Sequence, residues 1–302
     1  MTARSGALFQ GLSAFPLTPA DEGGTADCET LGRLVDRLAE AGVASIGVLG
    51  STGGFMYLTR DERRRAVAAA VEAASGRTPV IAGIGALRTD EAVLLARDAE
   101  AEGVNALLLA PVSYIPLTQD EVFAHAASVA AATGLPICLY DNPATTHFAF
   151  DHALFARLAK VKNVGGAKIP LPTEGSVAGQ LDQLARETGG EIQFGYSGDP
   201  RLVTAGLGGA KAFYSALAGT LPKEVMSLYA ASVSGDAARA NEVNVRFEPM
   251  WDLFRKHGGF RVIPEIAEIL GLCSVLPPRP VLRLPDAERA KVGAALAQLE
   301  GV

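Results

Sequence analysis

The 302-residue sequence has little cysteine, and the residues it has form no recognisable pair. Cys28, Cys138 and Cys273 are odd in number and far apart, which excludes a disulfide framework and a CxxC redox or zinc motif. Such cysteine usage is typical of a reducing compartment. We therefore expect a cytoplasmic protein.

Long hydrophobic runs are also missing. The longest one, at 104–112, is interrupted by Asn105 and is too short to cross a bilayer. The N-terminal segment lacks the sustained apolar core and the cleavage site of a secretory signal. We therefore expect no membrane partner.

Charge and histidine spacing exclude two further classes of protein. The net charge of −6 and the pI of about 5.4 argue against nucleic acid as the main partner. The four histidines show neither an HExxH motif nor metal-ligand spacing, so we expect no metal. Because 49% of the residues are hydrophobic, the chain can bury a large core without a disulfide or a structural metal.

Short apolar runs alternate with segments of helical periodicity through most of the chain. The runs are continuously apolar, which is typical of strands that are covered on both faces. Eight of them occur, at 12–15, 45–49, 79–82, 106–109, 137–140, 164–168, 192–194 and 212–215. Eight such strand–helix units predict an α/β fold, the (β/α)8 TIM barrel, which takes roughly 250 residues.

The helical segments carry their own start signals. Thr59 and Thr118 are each followed three residues later by glutamate, which is a capping-box pattern. Asp199 precedes Pro200, which predicts an N-cap with proline at the first helical position.

An open doubly wound sheet is the competing fold. It would require a glycine-rich phosphate loop after an early strand, and the segment at 50–54 lacks both the P-loop lysine and the GxGxxG spacing. After residue 233 the pattern is helical only, at 236–257, 262–270 and 285–300. We predict a catalytic barrel over residues 1–233 and a C-terminal helical extension, packed on the barrel, over 234–302.

Three strand ends form the candidate site, because catalytic groups of such barrels lie at the C-terminal ends of the strands. The second predicted strand ends in Gly50-Ser51-Thr52-Gly53. Tyr140 ends the fifth strand, and Lys168 ends the sixth.

Lys168 is the candidate nucleophile. A lysine at the buried mouth of a barrel loses hydration, which disfavours its charged form, and the neutral amine can form a Schiff base with a carbonyl. The structural alternative is an amine that reaches water or pairs with a carboxylate. Lys211, at the start of the eighth strand, would lie at the opposite end of the barrel.

The neighbouring hydroxyl groups suit the same chemistry. The phenol of Tyr140 can relay protons. The hydroxyls of Ser51 and Thr52, together with the backbone amides of their loop, suit a carboxylate. The structural alternatives are a tyrosine with its hydroxyl at the rim and a plain strand-to-helix turn.

Taken together, these residues resemble the dihydrodipicolinate synthase and N-acetylneuraminate lyase family of pyruvate-dependent class I aldolases. The resemblance covers nearly the whole chain. It is carried by FPLTP from Phe15, GSTG from Gly50, PVIAG from Pro79, LPICLYDNP from Leu135, Lys168, SGD from Ser197 and GG from Gly208.

The resemblance implies a barrel enzyme, usually a homotetramer built from dimers, with no cofactor besides the covalent Schiff base. Lys168 would form that Schiff base with pyruvate or another 2-oxo acid. Tyr140 and Thr52 would take part in the proton relay. The carboxylate and the keto acid would be held by Ser51, Thr52, Gly53 and the backbone carbonyl of Phe213.

The sequence departs from the family pattern at several places, one of which is Ile169-Pro170 after Lys168 in place of the family's more common acidic residue. Gly54 replaces the family's glutamate. Thr145 stands where the synthase has an arginine for the second substrate's carboxylate, and threonine cannot make that bidentate contact. The relay tyrosine from a neighbouring subunit falls at Ser113, with Tyr114 one residue later, so either residue is a candidate.

These observations predict a lyase that makes or breaks a carbon–carbon bond next to a pyruvate-derived enamine. Three alternatives stay open: the 4-hydroxy-tetrahydrodipicolinate synthase reaction with aspartate semialdehyde, a keto-sugar-acid dehydratase that uses the same imine, and a non-catalytic keto-acid-binding paralogue. The expected partners are a 2-oxo acid, an aldehyde and further copies of the chain, in a tetramer or a dimer.

Overall fold

Eight parallel strands form a closed barrel in the computed structural model, which describes residues 8–302. Each strand pairs with the next one along the chain, and the last pairs with the first. The strands are β1 Gly11–Ala14, β2 Ser45–Val48, β3 Val80–Gly83, β4 Ala106–Leu109, β5 Ile137–Tyr140, β6 Val164–Pro170, β7 Gln193–Ser197 and β8 Ala212–Ser215.

Helices follow the strands and cover the outside of the barrel. Short 3-10 turns occupy Phe55–Tyr57, Asp199–Arg201 and Leu217–Gly219. The α-helices are α1 Cys28–Ala41, α2 Arg60–Ala74, α3 Thr89–Ala101, α4 Gln119–Ala131, α5 Pro143–Thr146, α6 His152–Leu158, α7 Val177–Thr188, α8 Leu202–Leu207, α9 Pro222–Val233, α10 Ala237–His257, α11 Gly259–Ile269 and α12 Asp286–Ala297.

The barrel predicted from the apolar runs is confirmed, and the open sheet is excluded. Three strands, β4, β5 and β8, have the predicted bounds. The largest differences are at β6 and β7, which continue to Pro170 and Ser197 because these two residues still pair at the rim. The hydrophobic pattern does not reveal these last paired residues, since residues at the rim are partly solvated and need not be apolar.

The predicted helix starts are only partly correct. At Thr118 the capping box is complete: its hydroxyl accepts from the Glu121 amide at 3.3 Å, and Glu121 accepts from the Thr118 amide at 2.7 Å. At Thr59 only the threonine half forms. The carboxylate of Glu62 instead accepts from the Ala26 amide at 2.7 Å, since β1 and its loop lie close enough to compete.

The N-cap predicted at Asp199 is wrong. Asp199 and Pro200 lie in a 3-10 turn that has no side-chain cap. The carboxylate of Asp199 reaches across to the loop after β8 instead, because that strand neighbours β7 in the closed barrel.

Side chains fill the interior of the barrel. One buried cluster contains Phe9, Phe15, Ile81, Leu108, Cys138, Tyr140 and Tyr214. Gly166 on β6 leaves room for Phe9, since a Cβ there would come within 2.6 Å of the phenyl ring. The interior is therefore a packed core, as in other barrels of this type.

Three helices, α10, α11 and α12, follow the barrel. Phe247, Met250 and Trp251 of α10 are buried in the same hydrophobic core as the barrel helices. Glu265 on α11 is 1% exposed, and its carboxylate accepts from the guanidinium groups of Arg283 and Arg289. The division into domains at residue 233 stays a prediction.

Among residues 8–302, none of the helices combines the length and the apolarity that a membrane crossing requires. All three cysteines carry free thiols.

Candidate active site

The two residues expected to carry the chemistry lie side by side at the C-terminal mouth of the barrel. Tyr140 is the last residue of β5 and the direct register partner of Lys168 on β6. Each of the two residues is 6% exposed. The amine and the phenol therefore lie together, at the strand ends that the sequence singles out.

Aromatic rings surround the amine of Lys168. Its Nζ lies 4.0 Å from the ring centroid of Phe15, 4.3 Å from that of Tyr140 and 5.8 Å from that of Tyr214. The lysines that form salt bridges within residues 8–302 are Lys256 and Lys291. Lys168 is thus buried against ring faces and has no carboxylate partner within this part of the chain, which leaves its amine available to a ligand.

Two of these rings, Phe15 and Tyr214, were missed by reasoning from the sequence. The ring of Phe15 is seated by glycines on β2 and its loop: a Cβ at Gly47 would lie 2.3 Å from it, and one at Gly50 would lie 2.7 Å from it. The recurrence of glycine at 47 and 50 was the one signal in the sequence. It indicates that a side chain packs closely against β2 and its loop, but not which side chain.

Tyr214 and Cys138 line the interior below the amine as neutral groups. The phenol oxygen of Tyr214 lies 3.6 Å from the sulfur of Cys138. Burial raises the pKa of Cys138 to about 12 and that of Tyr214 well above its usual range. Burial therefore favours the neutral form of both groups.

The phenol of Tyr140 has one partner from its own loop. The side-chain amide of Asn142 donates to the phenol oxygen at 2.8 Å. The backbone amide of Asp141 donates to the carbonyl of Lys168 at 2.9 Å, which ties the start of this loop to β6. The sequence did not point to Asn142, because the contact depends on how the chain turns after β5.

The loop that carries Ser51 and Thr52 begins with a strained residue. Leu49 has a φ of +56°, a left-handed conformation that is uncommon for a side chain of this size. A Cβ on Gly83 of β3 would lie 1.9 Å from the carbonyl oxygen of Leu49, so this position requires glycine. Strain of this kind clusters at ligand-binding sites, and the loop that follows Leu49 carries the partly exposed Ser51 and Thr52.

Asp199 is a buried carboxyl group that shapes the mouth from β7. It accepts from the hydroxyl of Ser215 and from the backbone amides of Ala216 and Leu217, at 3.1 and 3.2 Å. Burial raises its pKa, and these hydrogen bonds and the charge of Lys168 oppose the rise. The residue holds the loop after β8 in place.

Asp141 is a second buried carboxyl group, next to Tyr140 in the chain. Burial raises its pKa to about 7, opposed by a hydrogen bond from the backbone of Phe150. Its Oδ1 has no hydrogen-bond partner within residues 8–302. This carboxyl therefore titrates close to neutral pH rather than at about 4.

Other predicted site residues have different surroundings. Phe213 is buried on β8 in the outer hydrophobic core, so only its backbone can face the mouth. Gly53 is buried, and a Cβ there would lie 3.1 Å from the backbone of Leu49. Thr145 is exposed on the short helix α5, where its hydroxyl donates to the carbonyl of Asn142 at 3.3 Å.

The two candidates for the third relay residue differ in their surroundings: the side chain of Tyr114 is exposed, and that of Ser113 is hydrogen-bonded within its own loop. The side chain of Tyr114 is 92% exposed in the loop after β4. The hydroxyl of Ser113 donates to the carbonyl of Ile115 at 2.6 Å, within the same loop. Lys211 is exposed and precedes β8, at the end of the barrel away from the mouth.

Phe260 occupies the space beside Gly54. A Cβ at Gly54 would lie 3.6 Å from the ring of Phe260, which stacks on Tyr57. Residues from α11 therefore cover this part of the loop. Beside them, Thr52 lines a small cleft of about 50 Å³ between the loop and the segment around Leu276.

The described part of the chain, residues 8–302, contains no group of three or more histidine, cysteine or carboxylate side chains that could hold a metal ion.

Comparison with known proteins yields one consistent family. The sequence model of the Dihydrodipicolinate synthetase family matches residues 8–299. A 4-hydroxy-tetrahydrodipicolinate synthase from Alkalilimnicola ehrlichii is 32% identical over 93% of this chain and 93% of its own length.

Solved structures lead to the same family. A dihydrodipicolinate synthase from Agrobacterium tumefaciens superimposes with a TM-score of 0.96 at 50% identity, covering 98% of this chain and 100% of the other. A chloride-inhibited dihydrodipicolinate synthase from Acinetobacter baumannii, complexed with pyruvate, superimposes with a TM-score of 0.85 at 26% identity, covering 97% and 100%.

Proposed function

Because this chain belongs to the dihydrodipicolinate synthetase family of pyruvate-dependent class I aldolases, we propose that it joins or separates a 2-oxo acid and an aldehyde through a Schiff base on Lys168. The observation that carries the proposal is the position of the Lys168 amine: buried at the mouth, against aromatic rings and beside a phenol. An amine without an ion-pair partner in such a place is free to attack the carbonyl of a bound 2-oxo acid.

The chemistry proceeds through an imine. The neutral amine adds to the keto carbon of pyruvate, and the carbinolamine loses water to give the iminium ion. Loss of a C3 proton to the relay gives the enamine, which adds to the aldehyde carbon while the aldehyde oxygen takes a proton. Water then hydrolyses the new iminium ion, which releases a 4-hydroxy-2-oxo acid and restores Lys168.

The remaining site residues bind and move protons. Tyr140 exchanges protons with the carbinolamine hydroxyl and with C3, since its phenol lies next to the amine. Ser51, Thr52 and Gly53 hold the carboxylate with hydroxyls and backbone amides. Thr52 joins the relay, and the backbone carbonyl of Phe213 faces the keto acid.

Borohydride trapping tests the proposal. Incubation with pyruvate and borohydride should reduce the imine and add the pyruvate-derived mass to the peptide that contains Lys168. Lys168→Ala should abolish the adduct, whereas the matched control Lys211→Ala should retain it. An adduct that survives Lys168→Ala, or no adduct in the unchanged protein, would reject the function.

The 4-hydroxy-tetrahydrodipicolinate synthase reaction is the second candidate, because the curated relatives carry that name. Thr145 counts against it, since an exposed neutral side chain stands where a cationic one would bind the second carboxylate. Turnover of aspartate semialdehyde at a rate above that of a panel of other aldehydes would favour the synthase. A product that keeps the whole carbon skeleton of a keto-sugar acid minus water would identify a dehydratase instead.

We also propose a homo-oligomer in which Tyr114 of one subunit completes the relay of its neighbour. A tyrosine that is 92% exposed, beside Ile115 at 64%, presents a large ring and an apolar neighbour to another surface. Sedimentation should show a dimer or a tetramer. Tyr114→Phe should lower turnover without changing that assembly, and an unchanged rate would contradict the role.

A cytoplasmic location is the remaining part of the proposal. Its support is the three free thiols, which suit a reducing compartment. Fractionation of cells that express the chain would test it.

A further inference from the structure

The side chain of Asn142 makes a contact that the roles above leave unexplained. Its amide nitrogen donates to the phenol oxygen of Tyr140 at 2.8 Å. We propose that Asn142 is a positioning residue, which directs the phenol proton of Tyr140 away from its own loop and stabilises the oxygen while that proton is away. The inference rests on the proposed Schiff-base function.

The contact determines where the phenol proton can point. A phenol has one proton to donate and also accepts hydrogen bonds. Because the amide of Asn142 donates to the oxygen, the O–H of Tyr140 is directed away from Asn142. The Nζ of Lys168 lies over the face of the same tyrosine, 4.3 Å from its ring centroid, so a substrate bound to this amine lies beside the ring and can receive the proton.

Backbone hydrogen bonds hold Asn142 firmly in place. Its carbonyl accepts from the amides of Thr145 and Thr146, both at 2.9 Å, and from the hydroxyl of Thr146 at 3.0 Å. Just before it, the amide of Asp141 is bonded to the carbonyl of Lys168. The donor on the phenol is therefore fixed relative to both β5 and β6, as a preorganised group must be.

The donor matters at the moment when the phenol gives up its proton. The proton of Tyr140 leaves with the carbinolamine hydroxyl as water, and the phenol oxygen regains a proton from C3 of the iminium ion, so the tyrosine ends unchanged. Between these two steps the oxygen carries negative charge. A hydrogen bond to a charged oxygen is stronger than one to a neutral oxygen, so the amide of Asn142 assists proton transfer more than it assists binding.

The experiment separates imine formation from proton transfer. The imine is measured as the borohydride-trapped adduct after long incubation with pyruvate. Proton transfer is measured in D2O as the loss of the pyruvate methyl signal by proton NMR. Asn142→Asp keeps the shape of the side chain but replaces the donor with an acceptor, and Asn142→Ser keeps a good N-cap residue that is too short to reach the phenol.

The matched control is Thr146→Val. It removes a hydroxyl that bonds to the carbonyl of Asn142 and so loosens the same turn, while the amide donor stays on the phenol. We expect both Asn142 variants to keep the trapped adduct within about twofold and to lower methyl exchange per imine by about 10- to 100-fold. Thr146→Val should leave that ratio unchanged.

Three results would overturn the inference. Normal exchange in Asn142→Asp would show that no donor is needed at the phenol. An equal fall in Thr146→Val would assign the effect to the order of the turn. Loss of the adduct in both Asn142 variants would assign the residue to binding. Absence of the adduct from the unchanged protein would overturn the proposed function as well. This result is obtained before any variant is made, so the two failures can be told apart.

Discussion

Replacing Asp141 with asparagine should stabilise the protein at neutral and alkaline pH. Burial raises the pKa of Asp141 to about 7, whereas an aspartate in an unfolded chain titrates near 4. The difference of about three pH units corresponds to roughly 4 kcal/mol, at about 1.4 kcal/mol per unit. Asparagine keeps the shape and can still accept the hydrogen bond from Phe150, but it has no charge to desolvate.

The direction of the pH dependence follows from proton binding. Between about pH 4 and pH 7 the folded state holds a proton on Asp141 that the unfolded state has released. The stability contributed by this group is therefore present at low pH, is lost as the pH rises through this window, and is fully lost above about pH 7. The asparagine of the variant does not titrate, so the stability gain should grow over the same window and then level off.

Urea unfolding of both proteins at several pH values measures this difference directly. Other titrating groups are common to the two proteins, so the difference between their unfolding free energies isolates Asp141. The matched control is Asp182→Asn on the exposed face of α7, for which the difference should stay flat. A flat curve for Asp141→Asn between pH 5 and pH 8, or a loss of stability at pH 8, would refute the reasoning.

Three further predictions concern the fold and the carboxylate loop. Glu265→Ala should lower the unfolding free energy by about 1–3 kcal/mol in urea melts, because it removes the buried carboxylate that binds Arg283 and Arg289 and leaves both arginines with the partly buried Glu268; a loss below about 0.5 kcal/mol would contradict this. Gly83→Ala should reduce pyruvate trapping more than tenfold while circular dichroism stays unchanged, because its Cβ would meet the carbonyl of Leu49; trapping at the original level would show that the turn can move at no cost. Thr118→Ala should cost about 1 kcal/mol of thermal stability, measured by calorimetry, because it removes the N-cap of α4; an unchanged melting temperature would count against the cap.

Local sequence patterns were sufficient to predict the barrel and its mouth. The apolar runs are continuous because the strands are covered on both faces, and their C-terminal ends must meet at one edge. Tyr140 and Lys168 end consecutive strands, so their adjacency follows from the order of the chain. The capping box at Thr118 was predictable for the same reason, since both partners lie within one turn of helix.

Contacts between distant segments could not be predicted. The ring of Phe15 reaches Lys168 across the barrel, and Asp199 bonds to the loop after β8 rather than capping its own helix. Glu62 likewise bonds to Ala26, which lies 36 positions away. In each case a side chain contacts a partner that is distant in the sequence, and only the folded chain places the two residues close together.

The sequence by itself therefore determined the architecture and the positions of Tyr140 and Lys168 at the ends of neighbouring strands, because hydrophobic periodicity and strand order are local properties. The tertiary structure alone decided which rings enclose the amine and which carboxyl groups become buried. These properties arise when the last strand pairs with the first and places residues that are far apart in the chain within a few ångströms of one another.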